Sequence, residues 1–503
     1  HTIASVYDEA GRETSRRIGA GATLAQVWDP AGRLAEQTLT SHPPTAEEAA
    51  TVQRRVYTYR ADGHLTGVDD QLRGAHGFEL DPAGRVTAVH APGGRGESYA
   101  YDEAGNQTYA SWPAPFASYS DATGPRAYTG TRVIRAGRVR YAYDAAGRIT
   151  LRQRTRLSRK PDTWWYAWDA EDRLTSVTTP DGTVWRYLYD PLGRRTAKQR
   201  LAADGETVVE RVDFVWDGDT LVEQTTTGQD RPESATFTWD HDGLRPVAQT
   251  ERVTDEMGRR EIDRRFFGIV TDLVGTPSEL LDENGDIVAR HHATLWGATG
   301  PAAAGEAHTP LRFPGQYHDP ETGLHYNRFR YYDPETARYT SPDPLGLAAA
   351  PNPVAYVTNP HAWVDPLGLC PCAPGARPRG RPGGRPDGET VLSGHGGIWS
   401  EDTRPGQEAK VTVPKGTRLH FYADHGGMLK NPRANRIELG TELGAPTEII
   451  EPGQQVWNYS LFPPDDLEIM GNPKMVRRET PLSKLLKPNM GNVHWAACRE
   501  VIP

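Results

Sequence analysis

The chain has 503 residues, too many for one ordinary hydrophobic core, so two or more domains are expected. Its 51 glycines and 41 prolines accompany 37% hydrophobic and 9% aromatic residues, the profile of many short strands joined by turns rather than of a disordered chain. A net charge of −9 argues against a general nucleic-acid binder, no apolar run is long enough to span a bilayer, and three cysteines (Cys370, Cys372 and Cys498) cannot build a disulfide framework for this length.

The first predicted elements are repeats. Each unit runs aromatic, Asp, two or three residues, Gly, then Arg or another polar residue and an apolar one. Trp28-Asp29-Pro30-Ala31-Gly32-Arg33-Leu34 and Tyr143-Asp144-Ala145-Ala146-Gly147-Arg148-Ile149 are examples, and Leu80-Asp81-Pro82-Ala83-Gly84-Arg85-Val86 is a copy with leucine in the aromatic position. Tyr101-Asp102 and Tyr189-Asp190 open further copies, and the copy at Trp168-Asp169-Ala170-Glu171-Asp172-Arg173 lacks the glycine. Each copy reads as a hairpin: the aromatic ends one strand, Asp accepts a turn hydrogen bond, Gly takes positive φ, and the Arg-apolar pair starts the next strand. Alternation in stretches such as Arg138-Val139-Arg140-Tyr141-Ala142-Tyr143 has strand period. Hairpins in series predict one continuous spiralling sheet in which each repeat covers its neighbour's edge. Since the chain opens with His1 inside a repeat (Val6-Tyr7-Asp8), it reads as a fragment whose shell is incomplete, and its start says nothing about export.

Further along, Asp343-Pro-Leu-Gly-Leu and Asp365-Pro-Leu-Gly-Leu stand 365 − 343 = 22 residues apart, and the second ends at Leu369, where the composition changes abruptly. Taken alone these are two Asp-Pro turns. Brought together, two carboxyl groups at hydrogen-bond distance share a proton, so that one activates water and the other protonates a leaving amine, with no metal or cofactor needed. Arg330 and Asp333 are candidates to support such a site, or else members of a buried structural salt bridge.

The repeats resemble the YD repeats of Rhs proteins and of Tc-toxin C subunits. The resemblance tightens over Phe313-Pro314-Gly315-Gln316-Tyr317, Glu321-Thr322-Gly323-Leu324-His325-Tyr326-Asn327, Arg330-Tyr331-Tyr332-Asp333-Pro334 and the two Asp-Pro-Leu-Gly-Leu segments, which are similar to the Rhs-associated core in order and spacing. It implies a mainly β fold, with a YD-repeat β-shell over residues 1–310 closed by a core plug over 311–369. It further implies an aspartyl autoprotease using Asp343 and Asp365 that cuts at Leu369–Cys370 and frees an enclosed C-terminal toxin. Ala337 stands where the family usually has Gly, which is expected to change one turn and not the chemistry.

Beyond Leu369, Cys370-Pro371-Cys372 lacks the two-residue spacing of a metal or redox motif and reads as a tether. The Pro/Gly/Arg-rich segment 370–388 reads as an extended linker. A small α/β domain is expected over 389–503, with strands at Thr390–Gly394, Val411–Thr417, Arg418–Ala423 and Asn492–Arg499 and a short helix near Pro481–Leu486. Leu392-Ser393-Gly394-His395-Gly396-Gly397, Val456-Trp457-Asn458-Tyr459 and Val493-His494-Trp495-Ala496-Ala497-Cys498-Arg499 resemble Stv adhesin domains. The order of strand-His-Gly and then strand-Ala-Cys also resembles caspase-like cysteine peptidases. If the two strands are parallel neighbours, His395 can activate Cys498 and the amide of Gly396 can help form an oxyanion hole; His425 is the rival base, and a buried cysteine with a loop histidine is the plain alternative.

The function expected from these features is a self-cleaving shell whose released C-terminal cargo is a cysteine hydrolase or peptidase, secreted or displayed at the cell surface and delivered to neighbouring cells, with no integral membrane segment. Its expected partners are its own C-terminal domain as cargo, a cognate immunity protein and a target-cell protein, and not nucleic acid. The alternative is a C-terminal adhesin displayed on the repeats without catalysis; ADP-ribosyl transfer lacks a nucleotide-binding motif.

Overall fold

The computed structural model describes residues 2–369 apart from segments 43–48, 114–120 and 301–306 and positions 95, 230, 256, 257, 259 and 349. Beyond these it describes Pro371 and the backbones of five strands, Ser393–Gly394, Gln407–Lys410, Thr417–Ala423, Ala434–Glu438 and Val493–Arg499. The chain divides into two compact units, His1–Leu369 and Cys370–Pro503.

The repeat's turn chemistry builds the first unit. In the hairpin at Asp29, the carboxylate accepts the Arg33 amide at 2.8 Å on one oxygen and the Arg33 Nε at 2.7 Å on the other, while the Gly32 amide donates to the Asp29 carbonyl. The same pair of side-chain bonds recurs at Asp8–Arg12, Asp81–Arg85, Asp144–Arg148, Asp169–Arg173 and Asp190–Arg194. The Arg33 amide, and with it the guanidinium, holds the Asp29 carboxyl below its usual range. Gly32 sits at φ +78°, as the turn requires; in the copy without glycine, Asp172 takes that left-handed position at φ 59°.

The aromatic of each unit does more than pack. Tyr59, Tyr101 and Tyr189 donate their hydroxyls, and Trp28, Trp168 and Trp216 their indole N–H, to a backbone carbonyl of the preceding hairpin at 2.8–2.9 Å. The accepting carbonyl always belongs to the residue just after that hairpin's arginine: Glu13, Leu34, Val86, Ile149, Leu174 or Arg195. The same arginine covers the incoming ring, with Arg33 at 4.7 Å from the Tyr59 centroid and Arg85 at 4.9 Å from that of Tyr101. Each such stack contributes on the order of 0.5–1 kcal/mol, and one arginine thereby fastens two successive hairpins.

Strand pairing follows chain order. Every strand from Ile3–Tyr7 to Ile287–Arg290 pairs antiparallel with its sequence neighbours, giving one meander of 25 strands. The meander curls until its beginning meets its end. Ile18, Ala22, Leu24 and Leu39 share a core with Ala248, Phe266, Val270 and Leu281. Buried Arg55 bonds both Asp70, at 2.9 Å, and Glu279. Gly268 leaves room for Ile18, and Gly285 lies so close to Gly21 that a Cβ on it would meet the Gly21 carbonyl oxygen at 2.0 Å.

The inner surface is filled by the last part of this unit. Short strands Tyr317–Asp319, Leu324–Asn327, Arg330–Asp333 and Arg338–Tyr339 form a four-stranded sheet of their own. Asp319 is fully buried against Arg195 at 2.6 Å and Lys198 at 3.1 Å, and Lys198 also reaches Glu321 at 2.9 Å. Arg126 donates to the carbonyls of Glu335 and Thr336, Arg328 to Asp219, and Asn359 to the carbonyl of Gly84. These anchors come from repeats spread along the meander, so the segment joins hairpins far apart in the chain. Ala337, where the family usually has Gly, takes the left-handed conformation itself, at φ 56°, at the cost of local strain.

In the second unit, Val493–Arg499 lies between Ser393–Gly394 and Thr417–Ala423, antiparallel to both, and Gln407–Lys410 pairs parallel with Ala434–Glu438. The expected strands at 390–394, 418–423 and 492–499 are present in part or whole; the expected helix at 481–486 lies outside the described residues. No helix among the described residues is long and apolar enough to cross a membrane.

The curled meander makes a prediction about its seam. Gly32→Ala should destabilise the first unit by about 1–2 kcal/mol, the cost of a left-handed alanine whose Cβ meets only the Arg12 guanidinium, at an ordinary contact distance of 3.6 Å. Gly285→Ala should lower the thermal unfolding midpoint clearly further, because its Cβ must push the two ends of the sheet apart. Equal shifts in calorimetry would argue against the seam.

Candidate active site

Both Asp-Pro-Leu-Gly segments are turns, and both aspartates are also brought to one buried point. Asp343 accepts the Leu345 amide at 2.8 Å, and its carbonyl takes the Gly346 amide at 2.9 Å. Asp365 accepts the Leu369 amide at 2.9 Å on Oδ1. Gly368, at φ +73°, is pressed against the strand hairpin, since a Cβ there would lie 2.6 Å from the Asn327 carbonyl oxygen. Gly315 clears the way for the same loop, because a Cβ on it would stand 1.9 Å from the carbonyl oxygen of Pro366.

Arg330 is the hub. Its Nη2 lies 2.7 Å from Asp343 Oδ2 and 3.4 Å from Asp365 Oδ2. Nη1 donates to the Pro353 carbonyl at 3.0 Å, and Nε donates to the Gly368 carbonyl. One guanidinium thus gathers both aspartates, the loop between them and the residue before Leu369. It sits 3.6 Å over the Tyr339 ring. The side chains of Arg330, Asp343 and Asp365 are only 1–3% exposed. The two carboxyl groups paired from the sequence share one cation, the counter-charge that two buried acids need.

Burial, with Asp365 nearby, pushes the Asp343 carboxyl up to about 7, against the opposing pull of Arg330 and the Leu345 amide. Near neutral pH Asp343 is therefore poised to hold or release a proton. Asp365 is ringed by donors: Tyr339 Oη at 2.8 Å and Arg330 on Oδ2, and the Leu369 amide on Oδ1. That is the setting of an acceptor.

Of the other expected site residues, Arg330 is central. Asp333 instead caps its own turn, accepting the Glu335 amide at 3.0 Å and the Thr336 hydroxyl at 3.0 Å, and faces Tyr141. Leu369 is buried, and Cys370 lies outside the described residues. His395, Gly396 and His425 also lie outside them. Among the described residues, the strand that precedes His395 and the strand that carries Cys498 are antiparallel rather than parallel neighbours. Gly394 pairs with Trp495 on an antiparallel strand, three residues and so about 10 Å along it from Cys498. Sequence reasoning did not single out Tyr339, Asn327 or Gly368, although each lies in or beside a quoted motif; their signal was a polar group or a glycine within very short strands and turns. Among the described residues no three His, Cys, Asp or Glu side chains could hold a metal.

Comparisons with known proteins agree with this architecture. Residues 168–207 match the RHS Repeat family, 257–354 the Teneurin YD-shell, and 389–500 the family described as Putative adhesin Stv domain. The protein named Probable deoxyribonuclease RhsA of Dickeya dadantii is 34% identical over 367 residues, 73% of this chain and 24% of that protein. Double-stranded DNA deaminase toxin A of Burkholderia cenocepacia is 36% identical over 72% of this chain and 25% of its own length. Toxin protein Tse5 of Pseudomonas aeruginosa is 33% identical over 63% and 27%. The chain thus spans about a quarter of the length of these relatives. The solved Tc holotoxin pore of Photorhabdus luminescens shares the fold, with TM-score 0.57 at 19% identity over 73% of this chain and 19% of that one.

The raised Asp343 carboxyl has a consequence for stability. Its proton is bound more tightly in the folded chain than in the unfolded one, where the group titrates near its ordinary value of about 4. The folded state therefore loses stability as pH rises from about 4 to about 7 and stays level above, by an amount on the order of a few kcal/mol. Asp343→Asn should flatten that slope in urea unfolding measured across this range; an unchanged slope would place the buried proton elsewhere.

Proposed function

We propose that this chain, whose first 369 residues are an Rhs-type YD-repeat shell and core, is part of a self-cleaving toxin that severs its own backbone at Leu369–Cys370. The observation that carries this reading is the convergence of Asp343, Asp365, the Gly368 carbonyl and the Leu369 amide around Arg330. The reading is supported by the raised pKa of Asp343 and by the donors around Asp365, in the unit that ends at Leu369.

The chemistry is amide hydrolysis. Asp365 takes a proton from water as the water oxygen bonds to the Leu369 carbonyl carbon. Asp343, protonated, gives its proton to the Cys370 nitrogen as the carbon–nitrogen bond breaks. The products are a carboxylate at Leu369 and an amine at Cys370. Arg330 orients both acids and offsets negative charge as it develops in a site without bulk water.

Cleavage would detach residues 370–503 as cargo without releasing them from the assembly. A cognate immunity protein, a target in a neighbouring cell and delivery by export belong to the same proposal, as the relatives named as toxins suggest. The DNA chemistry in those names is not carried to this chain, whose C-terminal part matches the Stv family instead. For that part we favour a binding or other non-thiol effector over a His395–Cys498 peptidase, because the strand before His395 runs antiparallel to the one bearing Cys498.

Intact-mass analysis of the purified chain should find two fragments, ending at Leu369 and beginning at Cys370, that co-elute in size exclusion. Asp343→Asn and Asp365→Asn should each leave the chain whole, and the rate in the wild type should fall as pH rises past about 7, where Asp343 loses its proton. A wild type that stays whole, or cleavage persisting in both variants, would exclude the mechanism. In a separate assay, residues 370–503 expressed with Cys498→Ala should be as active in growth inhibition as without it; loss of activity would restore the peptidase reading.

A further inference from the structure

The self-cleavage site contains a buried polar chain that the two-acid mechanism does not use. Asn327 Nδ2 lies 2.8 Å from Tyr339 Oη and 2.8 Å from the backbone oxygen of Asp365. Tyr339 Oη in turn lies 2.8 Å from Asp365 Oδ2. Asn327 is fully buried and Tyr339 is 3% exposed, so water cannot replace either. The direction of the chain follows from donor inventory. The asparagine amide nitrogen can only donate, so the tyrosine oxygen accepts from it and its own proton points to the carboxylate. Burial first, and the charge of Asp365 next, keep the Tyr339 hydroxyl protonated.

We infer that Tyr339, held by Asn327, is the positioning residue of the self-cleavage reaction: its hydroxyl fixes the rotation of the Asp365 carboxylate so that Oδ1 stays beside Leu369. The inference rests on the self-cleavage reading. Two rotatable bonds, Cα–Cβ and Cβ–Cγ, lie between the Asp365 carboxylate and the backbone loop. The loop is pinned by Asn327 at the Asp365 carbonyl, and the carboxylate by Tyr339 at Oδ2, so hydrogen bonds from two strands of the small sheet hold both ends of the side chain. Arg330 alone does not, because its 3.4 Å contact with Asp365 is longer than its 2.7 Å contact with Asp343. The tyrosine ring also supports Arg330 from below, at 3.6 Å, so one side chain orders the base through its hydroxyl and the cation through its face. Tyr339→Phe separates these two roles, because it keeps the ring and removes only the hydroxyl.

The test uses the full chain made by cell-free synthesis, stopped, and moved into buffers from about pH 5 to 9, with cleavage followed on gels over time. Tyr339→Phe should slow cleavage at least about tenfold, the effect of losing one buried hydrogen bond to a charged group. The shape of its pH profile should also differ from that of wild type, since Tyr339 no longer donates to the Asp365 carboxylate. A rate and profile equal to wild type would overturn the role of Tyr339 while leaving the two-acid site intact. A slower rate with an unmoved profile would also overturn it, showing that the hydroxyl serves only packing. A wild type that never cleaves would sink the site itself and this inference with it. Thermal unfolding of Tyr339→Phe within a few degrees of wild type guards against loss of fold as the cause.

Discussion

The arginine–carboxylate–aromatic contact is what the whole first unit depends on. In the wall, a guanidinium locks the aspartate of its own hairpin, covers the ring of the next, and leaves that ring free to donate to the backbone beside it. Isolated hairpins are marginal in water because they bury too little. Here each is fastened to the next by a contact that is partly charge, partly stacking and partly backbone hydrogen bond, so a long meander can hold its curvature with a modest apolar core.

The same contact is found in the plug with one change. Arg330 again stacks on a ring and again binds a carboxylate and a carbonyl, but it is buried and faces two acids instead of one. In the half-exposed wall, solvent shares the work of balancing charge, and Asp29 lies below its usual range. Inside the plug there is no such solvent, one cation must answer two carboxyl groups, and Asp343 rises to about 7. The wall contact and the plug contact thus differ mainly in dielectric setting and in the count of charges.

Anchoring holds the buried charge cluster still. Asp319, Glu335, Arg328, Arg338 and Asn359 tie the plug to hairpins from Gly84 to Asp219. Any loosening of the wall would be felt at Arg330, which lies in the same short strand hairpin as Arg328 and next to the strand of Arg338. Order in the site is therefore a property of the closed meander as a whole.

Local chemistry in the sequence determined the hairpins. Asp, Gly and Arg at fixed offsets specify a turn by their own hydrogen bonds, and so the serial β architecture, the break at Leu369 and the pairing of Asp343 with Asp365 as candidates were legible in the residue order. Even the departures were locally readable, since Asp172 and Ala337 occupy the positions where glycine was missing. Only the tertiary structure decided what surrounds the two acids. Arg330 was one candidate of two, and its preference over Asp333 depends on how a strand of four residues is rotated between loops at 343, 353, 365 and 368. Tyr339 and Asn327 carry no motif of their own; their role arises from cross-strand geometry. The same holds for strand direction at Ser393–Gly394: hydrophobic pattern locates a strand, whereas parallel or antiparallel pairing depends on the path of the chain between strands, which no local pattern encodes.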